Sequence, residues 1–211
     1  MEITEQIQSY LDEILPDAAC ALVFSNPFEC LCAVMLSAQT TDKSVNQVTP
    51  TLFKTFPDAK ALSKAKLEDV ENIIKRLGLY RNKAKNLIAL STALVERYQG
   101  EVPNDKKALT SLPGVGVKTA NVVLAECYGV PAIAVDTHLS RVSKRLGLAK
   151  ENDDPITIES KLEKRFPKER WIKLHHQLIW FGRIRCKAIS PNCKNCKLQG
   201  ICRYFKKLNR D

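Results

Sequence analysis

The sequence predicts an all-α fold. Apolar residues recur every three or four positions through most of the chain, as they do on one face of a helix. No stretch sustains the two-residue alternation of a half-buried strand. Segment boundaries carry helix punctuation, with Asn or Asp before Pro at starts and Gly at stops.

Residues 3–14 place Ile3, Ile7, Tyr10, Leu11 and Ile14 on one face. This amphipathic helix has no place of its own in the periodicity and can pack with either half of the chain. The stretch "SNPFECLCAVMLSAQ" opens with Asn26 as N-cap, Pro27 at the first helical position and Glu29 three after the cap. It is apolar nearly all round and is expected at the centre of a core. Residues 43–56 turn Val45, Val48, Leu52, Phe53 and Phe56 inward, but Pro50 predicts a kink or two short helices. "LEDVENIIKRLG" and "NKAKNLIALSTALVERYQG" each stop at a glycine. Further helices are expected over 105–112, 117–128, 137–146, 155–166 and 169–185, with Asp154-Pro155 as a cap and first residue. There is no internal repeat and no low-complexity linker.

The chain of 211 residues is long enough for a proper core, and its 45% apolar and 27% charged content is that of a globular protein. No apolar run reaches the ~18 to 20 residues that span a bilayer. The acidic start "MEITEQIQSY" lacks a signal-peptide core, so a cytoplasmic location is expected. The net charge of +10 is unevenly spread: residues 1–130 hold 14 Lys/Arg against 15 Asp/Glu, and residues 131–211 hold 19 against 8. A one-sided excess of this size points to a polyanion, and the break near residue 131 to two subdomains.

Residues 105–128 read as a short helix capped by Asn104 or Asp105, the turn "PGVG", and a second helix from Val117. Gly114 and Gly116 allow positive φ and close approach of another backbone. The free N–H groups at the second helix start make an anion site suited to a nucleic-acid phosphate, gripped without reading sequence. Gly114, Val115, Gly116 and Val117 are the candidate contacts. Such an element is a helix-hairpin-helix. Lys118 then has two readings: a cation adding to the phosphate grip, or a nucleophile. The helix dipole and burial beside a base and sugar both favour its neutral, reactive form. "AIAVDTHLSRV" delivers Asp136 to the start of another helix. There it can simply cap, or hold a carboxylate at a pocket mouth to stabilise a sugar cation and move protons. His138 is at most a supporting residue.

Cys20, Cys30, Cys32 and Cys127 lie in apolar surroundings and read as small buried hydrophobes. The other four form Cys186-x6-Cys193-x2-Cys196-x5-Cys202. Without an export signal, four thiols within 17 residues mean metal, and the spacing suits zinc or an iron–sulfur cube alike. Lys187, Lys194 and Lys197 within this loop are candidate phosphate contacts.

"LPGVGVKTANVV", "VDTH" and the cysteine spacing, together with "MLSAQTTDKSVN", "GLYRNKAKN" and "GEVPND", resemble endonuclease III, a family of bifunctional DNA glycosylase/AP lyases in the helix-hairpin-helix glycosylase superfamily. The resemblance runs from about residue 20 to 205. It implies a six-helix barrel domain over 20–131, with its hairpin near 105–128. A second helical domain would join 1–19 to 132–211 and carry a [4Fe-4S] cluster on the loop 186–202. It implies Lys118 as catalytic lysine, Asp136 as catalytic aspartate, and Cys186, Cys193, Cys196 and Cys202 as cluster ligands. Gln39 would fill the gap left by a flipped base, Leu79 would wedge in from the opposite side, and Asp42 would be a polar pocket residue. The implied partner is double-stranded DNA carrying oxidised pyrimidines or abasic sites, bound by a monomer with no membrane association. "KAISPN" departs from the family pattern in holding one basic residue, which would shift phosphate contact toward Lys194 and Lys197. Adenine or mismatch glycosylases of the same superfamily are the nearest rivals, but tend to lack the hairpin lysine. A non-catalytic DNA-binding module is the alternative from another class.

Overall fold

The computed structural model describes residues 2–209. Among them are thirteen α-helices, one 3-10 turn and no strand. No helix is long and apolar enough to cross a membrane among the described residues. The chain divides into two compact units: Cys20–Val130, and the segments that flank it on either side.

Helix α1 (Ile3–Ile14) is closed at its start by a reciprocal box between Glu2 and Glu5, and buries Ile7, Tyr10 and Leu11. The next eight helices make up the continuous unit. Asn26 caps α2 (Pro27–Leu36) by accepting from the Glu29 amide at 2.9 Å. The Glu29 carboxylate reaches back to the Ser25 amide at 2.7 Å, one residue beyond the cap itself. Every residue of α2 from Cys30 to Leu36 is buried. This helix packs against α3 (Asp42–Asn46), α7 (Tyr80–Tyr98) and α9 (Val117–Tyr128), which makes it the core element its composition predicts.

The Pro50 segment resolves as two helices, α3 and α4 (Thr49–Thr55). Proline sits in the first turn of α4, where its missing N–H is no loss. Helix α5 (Ala59–Ser63), one turn capped by Asp58, was not expected; α6 (Leu67–Ile74) and α8 (Lys106–Thr110) complete the unit. The six helical segments read in this region are therefore eight helices. Cys30 and Cys32 are buried and Cys20 and Cys127 half-buried. A hydrogen bond with Cys127, and then burial, push the Cys30 thiol up, while burial does the same for Cys32, so both are packing residues.

The other unit contains α1, α10 (Thr137–Leu146), α11 (Pro155–Arg165), the 3-10 turn Lys168–Arg170, α12 (Trp171–Ile184) and α13 (Arg203–Leu208). Its core joins Ile7, Tyr10 and Leu11 of α1 to Leu139, Val142, Leu174, Leu178 and Phe181. Tyr10 meets Phe181 edge-on at 6.2 Å, and its hydroxyl donates to the Asn195 carbonyl at 3.2 Å. Trp180 Nε1 donates to the Ala19 carbonyl at 2.9 Å, fastening the end of the N-terminal segment to α12.

Candidate active site

The hairpin is built as its residues require. Asp105 caps α8 by accepting from the Ala108 amide at 2.7 Å. Arg97 of α7 grips the end of α8, donating to Ser111 Oγ at 2.6 Å and to the Ser111 carbonyl at 3.2 Å. In the turn, Gly114 has φ of +75°, and a Cβ there would stand 2.9 Å from Met35 Sδ. Gly116 differs: its φ is −90°, and a Cβ would meet nothing within 4 Å. The chain's own packing thus demands the first glycine and not the second. Gly116 is the N-cap of α9 and supplies no side-chain cap, so the opening N–H groups of that helix remain for an acceptor from outside. Lys118 is the second residue of α9 and its side chain is exposed. Val115 is buried and Val117 is 40% exposed, so only the second valine presents a side chain at the turn.

Two further loops of the same unit carry residues in the left-handed region. Gln39 has φ of 53° and Leu79 φ of 57°, conformations that cost non-glycine residues of order 1–3 kcal/mol each. Both side chains are exposed, Leu79 to 58%. The loops are neighbours: a Cβ on Gly78 would lie 4.0 Å from the Gln39 carbonyl oxygen. Asp42 is half-buried at the first position of α3.

In the other unit Asp136 caps α10, its Oδ1 accepting from the Leu139 amide at 2.7 Å, and remains half-buried. His138 is half-buried beside Gly182 of α12, where a Cβ would come within 3.0 Å of the histidine Cβ. Burial, aided by Arg141 and Arg183 and opposed by Asp136, holds this imidazole below the usual histidine range. Arg141 Nη2 contacts His138 Nδ1 at 3.3 Å and donates to the Gly182 carbonyl at 2.8 Å.

Cys186, Cys193, Cys196 and Cys202 are free and line one pocket, walled partly by Phe181 and Tyr204, with no His, Asp or Glu in its lining. Burial and the neighbouring thiols push Cys193 and Cys196 up, opposed at Cys193 by the Arg145 guanidinium. No group of three or more His, Cys, Asp or Glu side chains among the described residues is arranged to hold a metal ion. The donor set itself, four soft sulfurs on one pocket, fits a thiolate-bound group. Sequence reading missed the residue that organises this loop. Arg145 of α10 donates to the Lys187 carbonyl at 2.6 Å and the Ala188 carbonyl at 3.1 Å, and its guanidinium lies 4.1 Å from the Tyr204 ring centre. Lys187 and Lys194 are exposed, whereas Lys197 pairs with Glu13 of α1, with a second contact at 2.7 Å.

The model of the HhH-GPD superfamily base excision DNA repair proteins matches residues 32–168, a span holding the hairpin, Lys118 and Asp136. Endonuclease III of Bacillus subtilis (strain 168) is 51% identical over 209 residues, covering 98% of this chain and 95% of the relative.

The chain belongs to the endonuclease III family.

Endonuclease III of Escherichia coli (strain K12) is 44% identical, over 97% of this chain and 96% of its own. Two solved structures superpose with TM-scores of 0.93 at 50% identity over the whole of both chains: a trapped endonuclease III–DNA covalent intermediate and a non-covalent endonuclease III–DNA complex. A thermostable thymine-DNA glycosylase shares the fold, with a TM-score of 0.84 at 24% identity. With this family goes the enzyme class: a base excision repair DNA glycosylase and AP lyase.

Proposed function

We propose that the amine of Lys118 is the nucleophile of this enzyme, acting on oxidised, ring-saturated pyrimidines and abasic sites in double-stranded DNA. The observation that carries the reading is the exposed amine one residue after an uncapped helix start, beside a glycine that the fold itself does not need. Amides at that start would hold the phosphate next to the lesion and bring the sugar to the amine. A solved relative at 50% identity, described as a trapped covalent intermediate with DNA, supports a covalent route.

In this reading the damaged nucleotide leaves the stack, since C1′ is hard to reach within a duplex. Lys118 Nζ bonds to C1′, and the base departs with the electron pair of its glycosidic bond. The sugar ring opens to a Schiff base, a proton is lost from C2′, and the C3′–O bond breaks by β-elimination. The Asp136 carboxylate stabilises positive charge on the sugar and moves protons. Gln39 and Leu79 occupy the gap and separate the strands, with Asp42 facing the extruded base. The basic cysteine loop, through Lys187 and Lys194, adds backbone contacts, and His138 supports the site. Cys186, Cys193, Cys196 and Cys202 would hold a [4Fe-4S] cluster, which when bound cross-links the loop. The enzyme would act as a monomer in the cytoplasm, on the nucleoid.

Asp136→Asn tests the assignment without removing the cap, since Asn caps as well as Asp. Turnover on a thymine-glycol duplex should fall by about 10² to 10⁴, with duplex affinity and melting temperature nearly unchanged. Parallel loss of affinity and melting temperature would mean that Asp136 only holds α10.

A further inference from the structure

Lys83, in the first turn of α7, is only 6% exposed, an unusual place for an ammonium group. Its Nζ donates to Thr40 Oγ1 at 2.5 Å, and no carboxylate pairs with it among the described residues. Burial holds its pKa below the usual lysine range. Its backbone N–H donates to the Leu79 carbonyl at 3.1 Å. That amide bond is the opening i→i−4 bond of α7, which any residue but proline would make. What the lysine adds is a side-chain tie from the helix that follows Leu79 to Thr40, the neighbour of Gln39. Both Gln39 and Leu79 sit in the left-handed region, and a Cβ on Gly78 would lie 4.0 Å from the Gln39 carbonyl oxygen. Two exposed tips in costly conformations persist only when their surroundings over-determine them.

We infer that Lys83 is a positioning residue that locks the Gln39 and Leu79 loops together, so that the two side chains enter the duplex as one rigid wedge. The inference rests on the insertion roles proposed above for those two residues. Lys83 does not itself act on the sugar, because its burial keeps the amine from any substrate. A buried methionine would fill much the same volume but leave the Thr40 hydroxyl without its donor and the Gln39 loop free to turn. The lysine trades some stability for that fixed geometry, as functional sites commonly do.

The test compares Lys83→Met and Thr40→Val with Gln39→Ala and Leu79→Ala. Two readouts are used: fluorescence of a 2-aminopurine placed beside a thymine glycol in a duplex, and strand cutting of a single-stranded abasic oligonucleotide. Opening a duplex needs the wedge; cutting a single strand does not. All four variants are expected to lose most of the fluorescence rise on binding and about tenfold in kcat on the duplex, with KM little changed. Lys83→Met and Thr40→Val are expected to keep single-strand cutting within about twofold of wild type. Thr40→Val keeps Lys83 and its packing, so it still tests the link if Lys83→Met folds poorly. If Gln39→Ala and Leu79→Ala lose duplex opening while Thr40→Val does not, the role given to Lys83 is wrong and the wedge stands. Normal opening by Gln39→Ala and Leu79→Ala would overturn the wedge and the inference together. Equal losses on single and double strands would reduce Lys83 to a fold-maintaining residue.

Discussion

Gly114 and Gly116 stand two positions apart and differ in what they do. Alanine at 114 must adopt φ of +75° and push Met35 Sδ back from 2.9 Å. The expected loss is about 2–4 kcal/mol, combining left-handed strain with overpacking. Alanine at 116 meets no atom within 4 Å, so stability should change by no more than about 1 kcal/mol. Its methyl would instead stand over the amides of α9 and weaken duplex binding. Urea melts and duplex titrations of the two variants separate these effects, and a stability loss at 116 matching that at 114 would contradict the assignment. At this scale the sequence was informative where a residue acts on its own neighbours. Asp136 capping α10 and the positive φ of Gly114 follow from local geometry, whereas Gly116 does not take the positive φ its residue type allows. Lys83, Arg141 and Arg145 left no such trace. Their side chains reach residues some 40 positions away, and neither periodicity nor motif spacing records a contact of that range.

Helix α1 shows how an element finds its place. Its apolar stripe was plain in the sequence, but a stripe does not say which surface covers it. The polar face decides: Asp12 accepts from Arg170 at 2.8 Å and from Gln177 at 2.9 Å, and pairs with Lys173 at 3.0 Å, all on or beside α12. Burial alone would raise this carboxyl, but the hydrogen bonds from Arg170, Gln177 and Lys173 bring it down to about 2. A carboxylate lowered in the folded state stabilises the fold above its unfolded value near 3.8, and that contribution disappears as pH falls toward 2. Asp12→Asn should therefore lose stability at neutral pH and show a weaker acid dependence between about pH 4 and 2, followed by circular dichroism. An unchanged acid profile would show that the cluster is only a surface contact. Helices α5 and α13, of five and six residues, escaped sequence reading because one turn and a half is too short to display a period. Pro50 was legible as a disruption. That it begins a new helix rather than bending one depends on the residues before it. Gln47 and Val48 keep right-handed dihedrals, but the Val48 N–H donates to the Val45 carbonyl three residues back, which ends α3.

Across the whole molecule, the charge asymmetry of the sequence is largely evened out by the fold. The five acidic residues of 1–19 join the basic segment after 130, leaving that unit with 19 basic against 13 acidic side chains and Cys20–Val130 with 14 against 10. The cysteine loop and Asp136 belong to the first of these units and the hairpin and Lys118 to the second, so both carry a net positive charge. Duplex affinity should fall steeply with salt, each neutralised phosphate adding about 0.9 to the slope of log K against log salt. Lys194→Ala should lower that slope by about 1. Lys197→Ala should lower it less, because Glu13 already offsets its charge. Equal effects would mean that DNA displaces Glu13. The fold class and the chemistry-bearing motifs could be read because each is a local pattern. How the Lys197 charge is already engaged could not, because its partner lies at the far end of the chain. The central claim, covalent catalysis by Lys118, is tested most directly by borohydride trapping on an abasic duplex. Wild type should become covalently attached to the DNA, and Lys118→Ala should give no adduct while still binding. An adduct of undiminished yield from Lys118→Ala would contradict the account.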